Sequence, residues 1–550
     1  MAFADISFRV RFGVTGHRAL PKPERIAECL REVLRTRVWE LFDRPLPAAH
    51  RTTPLVYTAL TPLAEGADRL VTREILKTPQ AGIEAVLPLA REDYLSDFAA
   101  AESKAEFEEL CQKARPVSVL RSQPLARTGP AAELEKERQR AYEEAGRYVV
   151  DHCDVLIAVW DGKPSRGRGG TAEIVAYARG RNRPLIIIPS ENPDQPILEK
   201  GAGLSGRAYN RIGMFNRFPI PEGNRQAYIN TMHEDLFAAP EGKKLSDRVK
   251  LKIREDLIPW YVRASLIAKR NQKRYFQSGL IVYALSPLAV AAVTVGLLIS
   301  TWALAAFLLE FLFLLVIYVV IRAADRRKVH KNWIESRFLV ERIRSAIFLF
   351  SCGVKPAAVS LSPFMKPALR AEEWIVRTFD EILARAGETE TGDRDACAGC
   401  ISFIRSRWIG AQIRFHAAKA EKAGRLSRLL EKAGRITFLA AIGASAWHVV
   451  SFLLGPHEFL PALEKPAVFL AIVLPALGAA LGGVRSHREY SRLEKRSNSM
   501  EAALTDLDRR FAAAAGPSDL DALLRETEQL MLEETQDWLM LMKFAKVEVV

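Results

Sequence analysis

The chain has 550 residues, enough for three or more domains, with 49% hydrophobic residues and a formal charge of +14. The basic excess invites a nucleic-acid reading, but much of it flanks long apolar segments, where it suits anionic headgroups, so no direct DNA or RNA partner is expected. A mean hydropathy of −0.02 averages a polar part with a lipid-facing one, and six scattered cysteines in segments assigned to a reducing compartment make a disulfide framework unexpected.

In chain order, residues 8–14 predict a strand, close enough to the start that no signal peptide is expected, and 22–38 a helix entered through Pro21 and Pro23. Between them Gly13, Gly16, His17 and Arg18 form a turn whose glycines let backbone amides approach an anion and whose arginine can pair with phosphate. A second strand, 55–60, leads to Glu65-Gly66-Ala67-Asp68, where Asp68 either caps the next helix or, with Glu65, binds ribose hydroxyls. Residues 83–90 predict a third strand ending at Arg91, and 97–148 a charged helical run broken near 115–130. Strand 154–160 leads through Asp161 and the glycine-rich run Gly167-Arg168-Gly169-Gly170-Thr171-Ala172-Glu173 into helix 171–180, and strand 184–190 closes the sheet. Strands alternating with helices imply an α/β Rossmann-like parallel sheet, with a ligand crevice outside the C-terminal strand ends where these loops emerge.

The remainder predicts an all-α membrane region of two helical hairpins, four transmembrane helices in all, at about 278–300, 302–321, 436–455 and 467–484. Basic residues at both ends of each hairpin place the N- and C-termini in the cytoplasm, and the cytoplasmic membrane is the expected location. The two hairpin regions read as an internal duplication, with His330 and Trp333 aligning with His487 and Tyr490, and Trp260 with Trp408. Glu310 is an ionisable group at mid-span: either it is neutral and hydrogen-bonded within one protomer, or several line an oligomer axis, with His448 a possible partner. Cys397 and Cys400 form an incidental CxxC. No HExxH, Walker A or Ser/His/Asp signature occurs, and neither a metal nor a cofactor is expected.

The motifs VTGHR at 14–18, LAEGADRL at 63–70, LPLAREDYLSDF at 87–98 and DVLIAVWDGK…GRGGTAEIVAYA at 154–178 together resemble the SLOG superfamily, Rossmann-like domains related to Smf/DprA and the LOG enzymes. The hairpin regions resemble SLATT domains, two-span effectors that accompany SLOG modules in bacterial conflict systems. The resemblance divides the chain into a SLOG-like nucleotide-binding domain at 1–195, a connector at 196–259, SLATT-like regions at 260–350 and 401–510 joined by a helical connector at 351–400, and a C-terminal helix at 511–550. It implies that Gly16, His17 and Arg18 line the phosphate or base side, Glu65, Gly66 and Asp68 face the ribose, and Gly169, Gly170 and Thr171 cradle phosphate, with Glu173 near the glycosidic bond. LOG enzymes carry GGxGTxxE, whereas one residue fewer separates Thr171 from Glu173, turning the carboxylate by about 100° on a helix. Binding of a nucleotide-derived messenger without turnover, driving a membrane-disrupting homo-oligomer against infection, is therefore expected. A membrane-tethered nucleotide N-glycosidic hydrolase is the alternative.

Overall fold

The computed structural model describes residues 5–122, 131–164, 168–356, 373–387, 397–454, 464–514 and 517–544. It divides into two units, Met1–Phe218 with Ser362–Glu381, and Pro219–Leu361 with Ile382–Val550.

The first unit is built on a seven-stranded sheet: β1 (Phe8–Gly16), β2 (Leu55–Thr61), β3 (Gly82–Leu87), β4 (Val117–Val119), β5 (Val155–Trp160), β6 (Leu185–Pro189) and β7 (Ile197–Glu199), in the order β4-β3-β2-β1-β5-β6-β7. Every pairing is parallel except β6 with β7. β5 and β6 are apolar runs because helices cover both faces, and in β5 every residue but Trp160 is buried, whereas β1 alternates Phe8-Arg9-Val10-Arg11-Phe12 with both arginines half-buried. The helices are α1 (Pro23–Glu32), α2 (Ala67–Leu76), α3 (Arg91–Leu95), α4 (Ala101–Lys113), α5 (Ala131–His152), α6 (Thr171–Gly180) and α7 (Gly206–Asn216).

Three details correct the sequence reading. The sheet does not close at residue 190: β7 adds an antiparallel edge and β4 forms the other. Both are three residues long, too short for a period-2 signal to register. Helix 22–38 is not uniform, since α1 gives way to a π-helical turn at Val33–Arg37 and a 3-10 turn at Val38–Leu41, which bury Val33, Leu34, Val38 and Leu41.

The first unit is completed from far along the chain. In the helix Glu373–Ala386, Trp374 packs against Phe215. Arg377 donates to both Asp154 oxygens at 2.6 and 3.2 Å and to the Arg9 carbonyl at 2.9 Å, while Arg9 pairs with Glu381 at 2.9 Å. This helix therefore caps the N-terminal ends of β1 and β5, within a stretch the sequence presents only as a connector.

The second unit is helical among its described residues: α8 (Glu222–Phe237), α9 (Pro240–Lys243), α10 (Asp247–Lys252), α11 (Ile258–Leu298), α12 (Ala303–Arg326) and α13 (Val329–Ser351), followed by α14 (the Glu373–Ala386 helix, whose end falls here), α15 (Cys397–Phe403), α16 (Gly410–Leu454), α17 (Glu464–His487), α18 (Tyr490–Ala513) and α19 (Pro517–Phe544). Among the described residues, four helical segments are long and apolar enough to cross a membrane. Their apolar residues face outward, with Leu304 74% and Phe452 80% exposed, an arrangement that suits lipid and not water. Inside α11 the hydroxyls of Ser278, Ser286 and Thr294 donate to the carbonyls four residues back, so none needs an outside partner.

The geometry repeats. A π-helical turn precedes both α11 (Ile253–Leu257) and α16 (Ile404–Ile409), α12 and α17 are both 24 residues long, and Lys328 and Glu489 are left-handed hinges before α13 and α18. These hinges correct the alignment: Lys328 matches Glu489, so His330 falls opposite Ser491 rather than His487. Both histidines instead lie against Tyr275, with ring centroids 4.4 and 4.5 Å from its own. The hairpins pack through α11 and α17 at two glycines, where a Cβ on Gly279 would strike the His487 ring and one on Gly483 the Tyr283 ring.

Candidate functional site

β1 is paired with β2 on one side and β5 on the other, so the chain's progression across the sheet reverses between β1 and β5. Loops leaving these strands diverge there and open a crevice. Two glycines bring the neighbouring loops together. A Cβ on Gly16 would overlap Ala67 and the Val159 carbonyl, and Gly66, at φ +79°, would drive one into the carbonyls of His17 and Arg18. The contact is sealed by backbone bonds from Ala67 N to His17 O at 3.1 Å and from His17 N to Val159 O at 3.2 Å.

His17 thereby reaches Asp161: its Nε2 is 3.1 Å from both the Asp161 amide nitrogen and Oδ1. A neutral imidazole with its proton on Nδ1 accepts from the amide, and a charged one pairs with the carboxylate. The Lys163 amide, 3.0 Å from Oδ1, together with His17, holds the Asp161 carboxyl below the usual carboxylate range.

Behind this rim lies a buried polar layer. Asp68, 5% exposed, accepts from the Ala64 amide at 3.2 Å; burial pushes its carboxyl up to about 7, against the pull of that bond, Thr61, Arg18 and Arg69. Arg69 donates to Leu63 O, Ser103 and Glu106, yet its Nη2 has no partner. Among the described residues, the fully buried Tyr94 leaves its hydroxyl unpartnered, the Tyr142 hydroxyl is likewise orphaned, and Asp97 binds Arg138 through one oxygen and nothing through the other. Electrostatic coupling links the Tyr94 hydroxyl to Asp68, Arg18, Asp97 and Arg69. Arg18 is exposed, its guanidinium carbon 5.8 Å from the Tyr142 ring centre. A cation at the mouth and orphaned hydroxyl, carboxylate and guanidinium atoms behind it suit a ligand that is anionic at one end and rich in hydroxyls.

The structure thus gathers Gly16, His17, Arg18, Gly66, Asp68 and Asp161. Gly169, at φ +78°, lies against the backbone of Tyr142 and Glu143, and Gly170 and Thr171 follow it at the start of α6. Ser165–Gly167 lie outside the described residues. Glu65 is at the edge, held by the Ser103 hydroxyl. Glu173 is exposed and its Oε2 accepts from the Gly169 amide at 2.9 Å, closing the loop. Arg91 is drawn to Glu108 on the surface of α4, away from the cluster. The sequence reading assigned no role to Arg69, Tyr94, Asp97 or Tyr142, although the first three lie inside the quoted motifs LAEGADRL and LPLAREDYLSDF.

In the second unit Glu310 is half-buried on the face of α12 that carries the buried Ala306 and Ile317, whereas His448 is exposed on α16. No hydrogen bond or ion pair joins the two among the described residues.

No family model, curated protein or solved structure matches this chain. The SLOG resemblance rests on the four quoted motifs, and the SLATT resemblance on the two-span architecture.

Proposed function

We propose that the first unit binds a phosphorylated, ribose-containing messenger and that the second, as a homo-oligomer, responds by breaching the bilayer. The observation carrying this reading is exposed Arg18 over the orphaned Tyr94–Asp97–Arg69 layer, at the β1–β5 reversal. Phosphate takes the mouth beside Arg18 and His17, and ribose hydroxyls meet the buried acceptors and donors. The engagement of Glu173 with Gly169 supports binding over N-glycosidic cleavage, because a general acid must be free to reach the leaving base. Basic flanks on both hairpins support cytoplasmic termini in the cytoplasmic membrane, and the SLOG–SLATT resemblance supports a role in bacterial antiviral defence. The test uses the full chain in dye-loaded liposomes, titrated with linear, cyclic and ADP-ribose-like nucleotides. Leakage without released base is expected; released base without leakage establishes the hydrolase alternative, and no thermal shift with any nucleotide removes the sensor reading.

A further inference from the structure

Within the second unit, a cavity of about 240 Å³ opens between α8, α11, α13 and the π-helical turn ahead of α16. Its polar lining comprises Asp235, Tyr261, Arg344, Arg407, Trp408 and Gln412. Arg344 is committed, donating to the Tyr261 hydroxyl at 2.9 Å and to Glu341 at 2.6 Å. Two donors are not. Trp408 is 1% exposed, its ring stacked on Phe348 at 5.0 Å, and among the described residues its buried Nε1 has no partner; Arg407 Nε is in the same condition.

Buried donors without acceptors are rare because leaving one unpaired costs its full desolvation. Here two adjacent residues that both line one cavity leave one each. Both belong to the Ile404–Ile409 turn, and such widened turns recur where a helix redirects side chains for function. The orphans are donors rather than acceptors, the Arg344 guanidinium adds positive charge behind them, and the lining acid, Asp235, is solvent-exposed. The missing partner is therefore acceptor-rich and negative.

We propose that this cavity binds a small phosphate- or carboxylate-bearing anion, held by Trp408 Nε1 and Arg407 Nε. The site does not depend on the nucleotide reading of the first unit. The space, which is open on one side, has room for orthophosphate, pyrophosphate or a small organic acid. Along α11, Tyr261 lies about 25 Å ahead of the expected start of the span at residue 278, at 1.5 Å per residue, which favours a soluble anion over a lipid headgroup.

The experiment is calorimetric titration of the full chain, in nanodiscs of neutral phosphatidylcholine, with inorganic phosphate and pyrophosphate at constant ionic strength. An Arg18→Ala background weakens any phosphate binding at the first unit's crevice, so that the remaining signal reports the second unit. Trp408→Phe, which keeps the stacked ring but deletes the N–H, and Arg407→Gln are each expected to weaken binding at least tenfold. Affinities equal to the parent in both variants, or no binding by the Arg18→Ala parent, overturn the proposal. Displacement of phosphate by added phosphatidylglycerol, lost in Trp408→Phe, overturns the soluble source and assigns the donors to a headgroup.

Discussion

Replacing Arg377 by leucine tests whether the helix from the distant connector is a structural member of the first unit. The substitution removes two hydrogen bonds to Asp154, one to the Arg9 carbonyl and a cation 4.7 Å from the Phe8 ring centre. Asp154 keeps the bond from the Arg11 amide at 2.8 Å and the more distant Arg11 charge. Breaking a buried pair by deleting one partner costs about 3–5 kcal/mol, and side chains 15 and 17% exposed place this one near the lower end, about 3 kcal/mol. At about 1.4 kcal/mol per decade, amides of β1 and β5 that exchange through release of this helix should lose about a hundredfold protection in hydrogen–deuterium exchange of the full chain. The double variant Arg377→Leu/Asp154→Asn should recover part of it, because the stranded charge is gone. Burial pushes the Asp154 carboxyl up, but the Arg377 charge and hydrogen bonds outweigh it and hold the group below its ordinary 3.8. The pair's contribution is therefore complete above about pH 4 and lost as pH falls through the lower folded value, so parent and variant should converge there. Unchanged exchange in β1 and β5 at neutral pH would refute the reasoning.

Arg18→Ala should weaken binding of any phosphorylated ligand at the first unit's crevice by about 1.5–3 kcal/mol, and an unaltered affinity by calorimetry would sever Arg18 from the site. Asp68, with its carboxyl raised to about 7, holds a proton that the unfolded chain releases near 3.8, so folding stability should decline as pH rises from about 4 to about 7. Thermal melts of Asp68→Asn should lack that component, and identical pH profiles would mean that Asp68 is ionised throughout. Cysteines placed at Glu388 and His457 should label from the inside and outside of intact cells respectively; the reverse pattern inverts the proposed topology. Glu310→Gln should leave expression and ligand binding intact but reduce cation conductance if Glu310 lines an oligomer axis, and unchanged conductance and ion selectivity would assign it to packing against α11.

What could be read from the sequence followed the range of the forces involved. The four spans were legible because runs such as 302–321 contain a single ionisable residue, and no water-facing helix tolerates that composition. That the five long strands share one parallel sheet, with the loops after β1 and β5 at its C-terminal edge, followed from strand–helix alternation and the handedness of parallel crossovers; which strands lie side by side did not. The edge strands were not legible, since three residues such as Val117–Val119 carry no periodicity and pair only because β3 offers an open edge. Tyr94 and Asp97 had no local signature either. They sit in an apparent helix start, and only the folding of α3 and α4 over the β2–α2 loop sets them near Asp68.

The hardest feature to read was the insertion of Glu373–Ala386 into the first unit, because its evidence is a pairing across 223 residues of chain, Arg377 with Asp154. In sequence, Trp374, Arg377 and Glu381 resemble any amphipathic helix in a connector. Asp154, directly before an apolar strand, resembles a simple strand flank. Their meaning is joint: an acid at the N-terminal edge of a parallel sheet is costly when buried, and the arginine that neutralises it arrives after the first hairpin has been made. The first unit is complete only once that hairpin lies behind it in the chain. β1 and β5 then hold Arg9 and Asp154 against this helix at one end and His17 and Asp161 in contact at the other. Substitutions at either end of these two strands should therefore be scored for both fold stability and ligand binding, because the same pair of strands supports both.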